Sequence, residues 1–417
     1  MPFRIFNTLF LSILFLTFSF TQNDRDLFVI SGYVLLEDSL DAGGTHEGVT
    51  ISVKSLLDNP PSLVESSESG EDGFYSITID PGFYLVEWTK DGYVPWEQGN
   101  IALESDLEME DVTLIPGSVL EVAGDVFGNW TTSYQYWVIE NITVPEGDSL
   151  IIDAGVRVKF FEGTGLVANG KLEINGTEDN NVLFTSKLPT PLPGDWDNVE
   201  LYSENNVISY LDYEYADDGF IGDNASGSSF DHLHMVGTLS LSANGIILTN
   251  SSDMSFTNNE ITVAGDNGIY ITEGLNSVFT DNTINGPGSE LLYCSEAANS
   301  TFSGNVLTGT GRGVYANNAE GSTISDNVVT TNGSDGFEMD YCHDCLFDGN
   351  TVINQPSLGF EVRWSNNATF SNNTIDVRDF GFSCHDGSYY TFDNNTVTNF
   401  DEYGIYFQCS ENATITN

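Results

Sequence analysis

The chain has 417 residues, which at roughly 150 per domain predicts two or three domains. Its 11 Lys and Arg stand against 62 Asp and Glu, a formal net charge of −51, and this argues against nucleic acid or an anionic membrane surface as a partner, because both require basic patches. With 40% apolar and 12% aromatic residues the chain is too hydrophobic for a disordered acidic tail and is expected to fold.

Ile5 to Phe20 form a Phe- and Leu-rich run of 16 residues behind Arg4. The run is short of the about 20 residues that a membrane span needs and predicts an export signal over residues 1–22, with an uncleaved anchor as the alternative because the cleavage site is poor. No cysteine precedes Cys294, so lipid attachment behind the signal is excluded, and no later segment is apolar enough to cross a bilayer. The expected location is secreted, extracellular or at the cell surface.

Residues 28–115 alternate apolar and polar in short stretches such as Val49-Thr50-Ile51-Ser52-Val53 and Phe74-Tyr75-Ser76-Ile77-Thr78-Ile79, separated by Asp-Gly and Pro-Gly turns. That pattern predicts a small antiparallel β-sandwich. Glu71-Asp72-Gly73-Phe74, Pro81-Gly82-Phe83-Tyr84 and Lys90-Asp91-Gly92-Tyr93 resemble the carboxypeptidase-regulatory-like, prealbumin-type sandwich. The resemblance implies an accessory module without catalysis. Trp88, Tyr93 and Trp96 are read as core and edge aromatics in preference to a sugar-stacking set.

The remainder is periodic. An apolar residue, two variable ones and Asn recur at Asn259, Asn282, Asn305, Asn327, Asn350, Asn373 and Asn395, with spacings of 23, 23, 22, 23, 23 and 22. In step with them Gly245, Gly268, Gly313, Gly336, Gly359, Gly381 and Gly404 each open an apolar, variable, apolar triplet, and Glu290 is assigned to the missing glycine slot with Leu291 and Tyr293 as its apolar pair. A period near 22 suits one coil of a parallel β-helix, with Asn at a left-handed corner and stacked between coils, and Gly at another corner with positive φ. These repeats resemble the right-handed parallel β-helix repeat family, a superfold that includes pectate lyases. Trp130, Val144-Pro145-Glu146-Gly147 and Gly194-Asp195-Trp196 are similar to the opening coils of secreted β-helix proteins. The solenoid is therefore expected over residues 116–417, as about thirteen coils. The next ladder Asn would fall one residue past the terminus, which predicts a C-terminal continuation or a capping partner.

Strand alternation places positions one and three after each glycine inward, and positions two and four outward. The outward columns read Ile247, Tyr270, Leu292, Tyr315, Glu338, Glu361, Ser383, Tyr406 and Thr249, Thr272, Cys294, Asn317, Asp340, Arg363, His385, Gln408. Glu338, Asp340, Glu361, Arg363 and His385 are thus expected on one exposed face, flanked by Tyr315 and Tyr406. Glu338, Glu361 and His385 are the candidates for catalysis, and Tyr315, Asp340, Arg363 and Tyr406 for substrate binding. Stacked Glu338 and Glu361 suit either acid–base work or Ca²⁺, although no cofactor is required; the simpler reading is a solvated face balanced by Arg363. Cys342-His343-Asp344-Cys345 is read as a turn disulfide or as buried thiols ahead of a metal site, Asp217-Asp218 as a turn, and His232 with His234 as a surface pair.

No Lys follows Lys187, and Arg312, Arg363 and Arg378 are the cations of the clear repeats. A uronate lyase needs cations to grip carboxylates and a basic catalytic residue, so the census weighs against one. The expected function is a non-catalytic, secreted or surface β-helix protein that binds polysaccharide, a surface glycan or extracellular matrix. The alternatives are a polysaccharide-active hydrolase, lyase or epimerase on the acidic face, and a structural stalk or adhesin.

Overall fold

The computed structural model describes residues 27–416 apart from 38–43, 59, 239–243, 264, 287, 332 and 334; the expected signal over residues 1–22 lies outside the described residues. All the elements described are β-strands, and no helix among the described residues is long and apolar enough to cross a membrane. Described residues up to Trp88, with Glu97–Thr113, form one compact unit; Thr89–Trp96, with the residues from Leu114 onward, form a second.

The first unit holds two four-stranded sheets. One joins Phe28–Leu36 to Phe74–Ile79, Leu107–Glu108 and Val112–Leu114, and the other runs Ser62–Glu68, Thr50–Ser55, Gly82–Thr89, Trp96–Leu103; the end residues Thr89, Trp96 and Leu114 of these strands belong to the second unit. Alternation along these strands buries Ile30, Val34, Ile51, Val53, Ile77 and Trp88, one face per strand. Trp88 is a core residue, whereas Trp96 is 41% exposed.

The second unit is a right-handed parallel β-solenoid of about 12 turns. The count falls below thirteen because two early coils are long: Leu166 pairs with Val199 and Phe220 with Ile246, whereas later coils keep the 22–23 residue step, as in Phe256 with Phe279 and Phe279 with Phe302.

The interior of the asparagine ladder, Asn282 to Asn373, is buried and fully bonded. From Asn259 to Asn373 each member is at most 1% exposed. Asn327 shows the unit: its Nδ2 donates to Phe302 O and to Asn350 Oδ1, both at 2.9 Å, while its Oδ1 accepts from the backbone N–H of Asn305 at 3.1 Å and from Asn305 Nδ2 at 2.9 Å. Two donors and two acceptor sites are all used. Beneath the ladder the phenylalanines stack, with ring centroids 5.1 Å apart for Phe256–Phe279 and 4.9 Å for Phe279–Phe302.

Two expectations about the corners change. The left-handed residue is the one before the ladder asparagine: Asn258, Asp281, Gly304, Asp326, Gly349, Asn372 and Asn394 have φ between 54° and 67°. The ladder asparagines themselves sit outside that region. Two further left-handed columns follow the glycine-framed strands, at Glu273, Glu296, Asn318, Tyr341 and Trp364 and three residues on at Asn276, Asn299, Gly321, Asp344 and Asn367. The frame glycines have no positive φ. They are needed for close approach, since a Cβ on Gly313 would lie 2.4 Å from Gly336 O and 2.4 Å from Val329 Cγ1.

Cys342 and Cys345 are joined in a disulfide buried at a corner of the coil. Cys384 pairs across coils with Phe407, which leaves Cys409 two residues out of step, and both thiols are free.

The ladder and the glycine frame yield paired expectations for urea unfolding. Asn327→Leu strips partners from two buried donors and two buried acceptors and is expected to cost more than about 3 kcal/mol, at roughly 1–3 kcal/mol for each group left unsatisfied. Gly313→Ala is expected to cost about 1–3 kcal/mol through overpacking. A loss under about 1 kcal/mol for Asn327→Leu would contradict the ladder's role.

Candidate functional site

The glycine-framed strands stack Arg312–Asn317, Phe337–Asp340, Leu358–Arg363, Phe380–His385 and Tyr403–Gln408 into one parallel sheet. Val314 pairs with Phe337, Phe337 with Phe360, and Phe360 with Phe382. Those inward residues are fully buried, so Tyr315, Glu338, Glu361, Ser383 and Tyr406 form one outward column, and Asn317, Asp340, Arg363, His385 and Gln408 the next.

The phasing fails in one coil. Ile269 pairs with Leu292, not Leu291, and Tyr270 pairs with Tyr293. Leu291, not Glu290, therefore takes the glycine position. Leu292 and Cys294 point inward and are fully buried. Tyr293 is outward instead, and its ring stacks on Tyr270 at 4.2 Å.

Glu338 and Asp340 are outward-facing but not exposed: each retains 5% of its surface, because guanidinium groups lie over them. Arg312 Nε is 2.9 Å from Glu338 Oε2, and Arg363 Nη2 bonds Glu338 Oε1. Arg363 also donates through Nε to Asp340 Oδ1 at 2.7 Å and through Nη2 to Asp340 Oδ2 at 3.2 Å. Tyr315 donates its hydroxyl to Asp340 Oδ2 at 3.4 Å, and Arg312 lies 4.9 Å above the Tyr315 ring. Glu361 is looser, 3.8 Å from Arg363 Nη1 and 3.7 Å from His385 Nε2. Ser383 Oγ is 2.8 Å from His385 Nε2, and the Tyr406 ring is 6.1 Å from the His385 ring.

Three participants escape a reading that counts forward from each glycine. Arg312, Asp335 and Glu290 belong to a third outward column, one residue before the glycine position, with Arg312 Nη1 at 3.4 Å from Glu290 Oε1. The signal was the run Asn267, Glu290, Arg312, Asp335 at the coil period.

Burial pushes the Glu338 and Glu361 carboxyls above their ordinary value. For Glu338 this outweighs the opposing pull of Arg312 and Arg363; for Glu361 it outweighs that of Arg363 and His385. Burial works to lower Arg363, yet the Asp340 hydrogen bond and the surrounding carboxylates hold it above its ordinary value. The Tyr315 hydroxyl is raised by burial and by Asp340 and Glu338.

The remaining candidates do not join this face. His234 Nδ1 is 3.2 Å from Asp212 Oδ1, while His232, at a left-handed corner, has Nδ1 3.0 Å from Asp231 Oδ2 and stacks on Tyr210 at 4.2 Å. The two rings take separate partners. Asp218 Oδ1 accepts from the Asn244 backbone N–H at 2.8 Å, as a turn carboxylate does.

The chain belongs to the family described as "Periplasmic copper-binding protein (NosD)", which matches residues 196–337 and 262–417, just over half of the length. No curated protein matches it. Among solved structures it is similar to the mannuronan C-5 epimerase AlgE4 A-module of Azotobacter vinelandii, at 14% identity over 70% of this chain and 91% of that one, with a TM-score of 0.47. It is also similar to the periplasmic alginate epimerase AlgG, at 13% identity over 66% and 76% with a TM-score of 0.46. The DFA-IIIase of Arthrobacter chlorophenolicus A6 aligns at 12% identity over 66% and 83%, with a TM-score of 0.38. Likeness of this order says nothing about chemistry.

Copper draws on imidazole, thiolate or thioether donors. Cys342 and Cys345 are bonded to each other, and burial pushes the Cys294 and Cys384 thiols far up. Among the described residues the one group of three His, Cys, Asp or Glu side chains near enough to share an ion is Asp335, Glu338 and Glu361. That set is all oxygen, suited to a hard cation such as Ca²⁺, and the residues do not fit copper.

The raised Glu361 carboxyl has a signed consequence. A fold that raises a carboxyl prefers its protonated form, so the stability it contributes is present below the ordinary value of about 4.3 and lost as pH climbs through the raised one. Glu361→Gln is therefore expected to raise the melting temperature relative to wild type near pH 7 and to leave it unchanged near pH 4. A difference independent of pH would contradict this.

Proposed function

We propose that this chain is an exported member of the NosD family that binds polysaccharide along the glycine-framed face without turning it over. One observation carries the reading: Glu338 and Asp340, the most buried carboxylates of the face, are clamped by Arg312 and Arg363. A general acid–base pair must exchange protons with substrate, and a carboxylate held by two guanidinium groups is poorly placed to do so. Around the clamp Tyr270, Tyr293, Tyr315, Glu361 and His385 are half-buried, and they offer hydroxyls, ring edges and a carboxylate at the coil spacing of about 4.8 Å. Asp340 orients Arg363 in this reading, and Tyr406 closes the row beyond His385. The family's description as periplasmic and the apolar run Ile5 to Phe20 support export, and the first unit is read as an accessory module.

A polysaccharide hydrolase is the second reading. Carboxylate oxygens of Glu338 and Glu361 lie within 4.8 Å of one another, near the roughly 5–5.5 Å separation of retaining glycosidases.

A glycan array together with a turnover screen, with and without Ca²⁺, on wild type and Glu361→Gln separates the two. Retention of a polysaccharide by wild type with no product formed is expected. Turnover that Glu361→Gln abolishes overturns the binding reading in favour of the hydrolase, and failure to retain any glycan overturns it in favour of a stalk.

A further inference from the structure

A groove runs along the corner at which the glycine-framed strands end. Tyr341 follows Asp340 there and Trp364 follows Arg363, in the left-handed column that also holds Glu273, Glu296 and Asn318. Two residues on, Leu275, Ala298, Glu320 and His343 stand in a second column. Coil-to-coil backbone bonds hold it in step, among them Asn299 N–H to Glu320 O and Gly321 N–H to His343 O, both at 2.8 Å. Between the columns lies a cleft of about 350 Å³ that reaches from Glu296 and Ala298 to Tyr341 and His343, and another of about 530 Å³ that reaches back to Glu273 and Leu275. The two share Glu296 and Ala298 and so make one continuous groove.

The residue types of the first column are not those its backbone favours. A left-handed residue is best served by Gly, Asn or Asp, and the column before the ladder asparagines uses nothing else. Here Glu273, Glu296, Tyr341 and Trp364 take the same conformation, with φ between 50° and 59°. The turn does not select these side chains, which leaves their outward ends to account for them. The Tyr341 ring has one face against Trp364, with centroids 5.2 Å apart and planes 18° apart. Its other face looks along the column to Asn318, whose Nδ2 is turned to Glu296 Oε1 at 2.7 Å, and it closes the end of the cleft. Glu273, Glu296, Glu320 and Tyr341 are exposed. Among the described residues no Lys or Arg is paired with any of the three carboxylates; Arg312 and Arg363 are bonded to Glu290, Glu338 and Asp340 instead.

We propose that this groove binds a linear polymer of amino sugars with free ammonium groups, of the polyglucosamine class. Three carboxylates without a cation partner make it complementary to a polycation. Spacing narrows the class. Glu273 and Glu296 hold the same position in adjacent coils, with Glu320 in the coil after, so carboxylates recur at about 4.8 Å. That step is close to the length of one β-linked pyranose, whereas same-side residues of an extended basic peptide recur at about 6.8 Å and fall out of register. The open face of Tyr341 takes the C–H face of a sugar ring. One exposed ion pair contributes little, so binding depends on several ammonium groups engaging at once and strengthens with chain length. The groove shares no residue with the clamp or with the candidates of the glycine-framed face, so its failure leaves the reading of that face standing.

Calorimetric titration of the full chain tests the proposal at about pH 5.5, where carboxylates are ionised and the sugar amines protonated. The ligands are a glucosamine hexamer, its dimer, the N-acetylated hexamer and hexalysine. The glucosamine hexamer is expected to bind about tenfold or more tighter than each of the other three. Glu296→Gln/Glu320→Gln is expected to weaken its binding about tenfold or more. Glu146→Gln/Glu178→Gln, which removes the same charge at exposed positions in earlier coils, is the matched control and is expected to bind as wild type does. Tyr341→Asn puts a residue suited to the left-handed turn in place of the ring; it is expected to keep or raise the melting temperature and to weaken binding about threefold or more. Circular dichroism checks that the variants fold. No binding of the glucosamine hexamer, equal binding of any of the other three ligands, unchanged binding by folded Glu296→Gln/Glu320→Gln or Tyr341→Asn, or equal weakening in the control would each overturn the proposal.

Discussion

A primary amide buried inside a protein has two N–H groups and two acceptor sites to satisfy, and the ladder asparagines from Asn282 to Asn373 satisfy all four within the coil stack. The partners of each are the asparagine above, the asparagine below, and the carbonyl of an inward apolar residue one coil back, Phe302 for Asn327 and Ile324 for Asn350. No other side chain of this size has both donors and acceptors on one planar group. That constraint sets the step between coils and so decides what stands above what. The phenylalanine stack and the close glycine contacts follow from the same step, as does the left-handed residue that must precede each asparagine to turn the chain into it.

Stacking like positions about 4.8 Å apart is favourable for phenylalanine and costly for charge. Glu338 sits directly beneath Glu361, and like charges at that distance repel. The neighbouring columns answer this with cations: Arg312 stands over Glu290, and Arg363 over Asp340. The result is a small lattice of alternating sign in which Glu338 has two guanidinium partners. A solenoid that places acids in register needs such neighbours before it can bury them, and this places the clamp in structure before chemistry.

The period, the parallel coil and the inward column were legible because apolar residues and Asn repeat at a fixed step, and alternation then assigns faces. The grouping of Glu338, Asp340, Glu361, Arg363 and His385 followed directly. Other features depended on contacts that a repeat does not display. Leu291 replaces a glycine because its coil slides by one residue relative to the glycine count, which turned Leu292 and Cys294 inward. Arg312 and Asp335 lie before the glycine, outside a frame counted forward from it. The burial of Glu338 comes from arginine side chains folding over it, which alternation cannot foresee. The frame glycines looked like turn residues, but they are selected by a carbonyl oxygen in the adjacent coil.

Hydrogen–deuterium exchange along the chain tests the ladder most directly. Backbone N–H groups of Asn282, Asn305, Asn327 and Asn350 donate to the amide oxygen of the following ladder residue. They should exchange with the slowest class of amides in the solenoid, as cooperatively protected core groups do. Exchange at those corners much faster than in the flanking strand residues Phe279, Phe302 and Phe347 would show that the coils are held by their strands alone, and that the asparagines merely occupy the space between them.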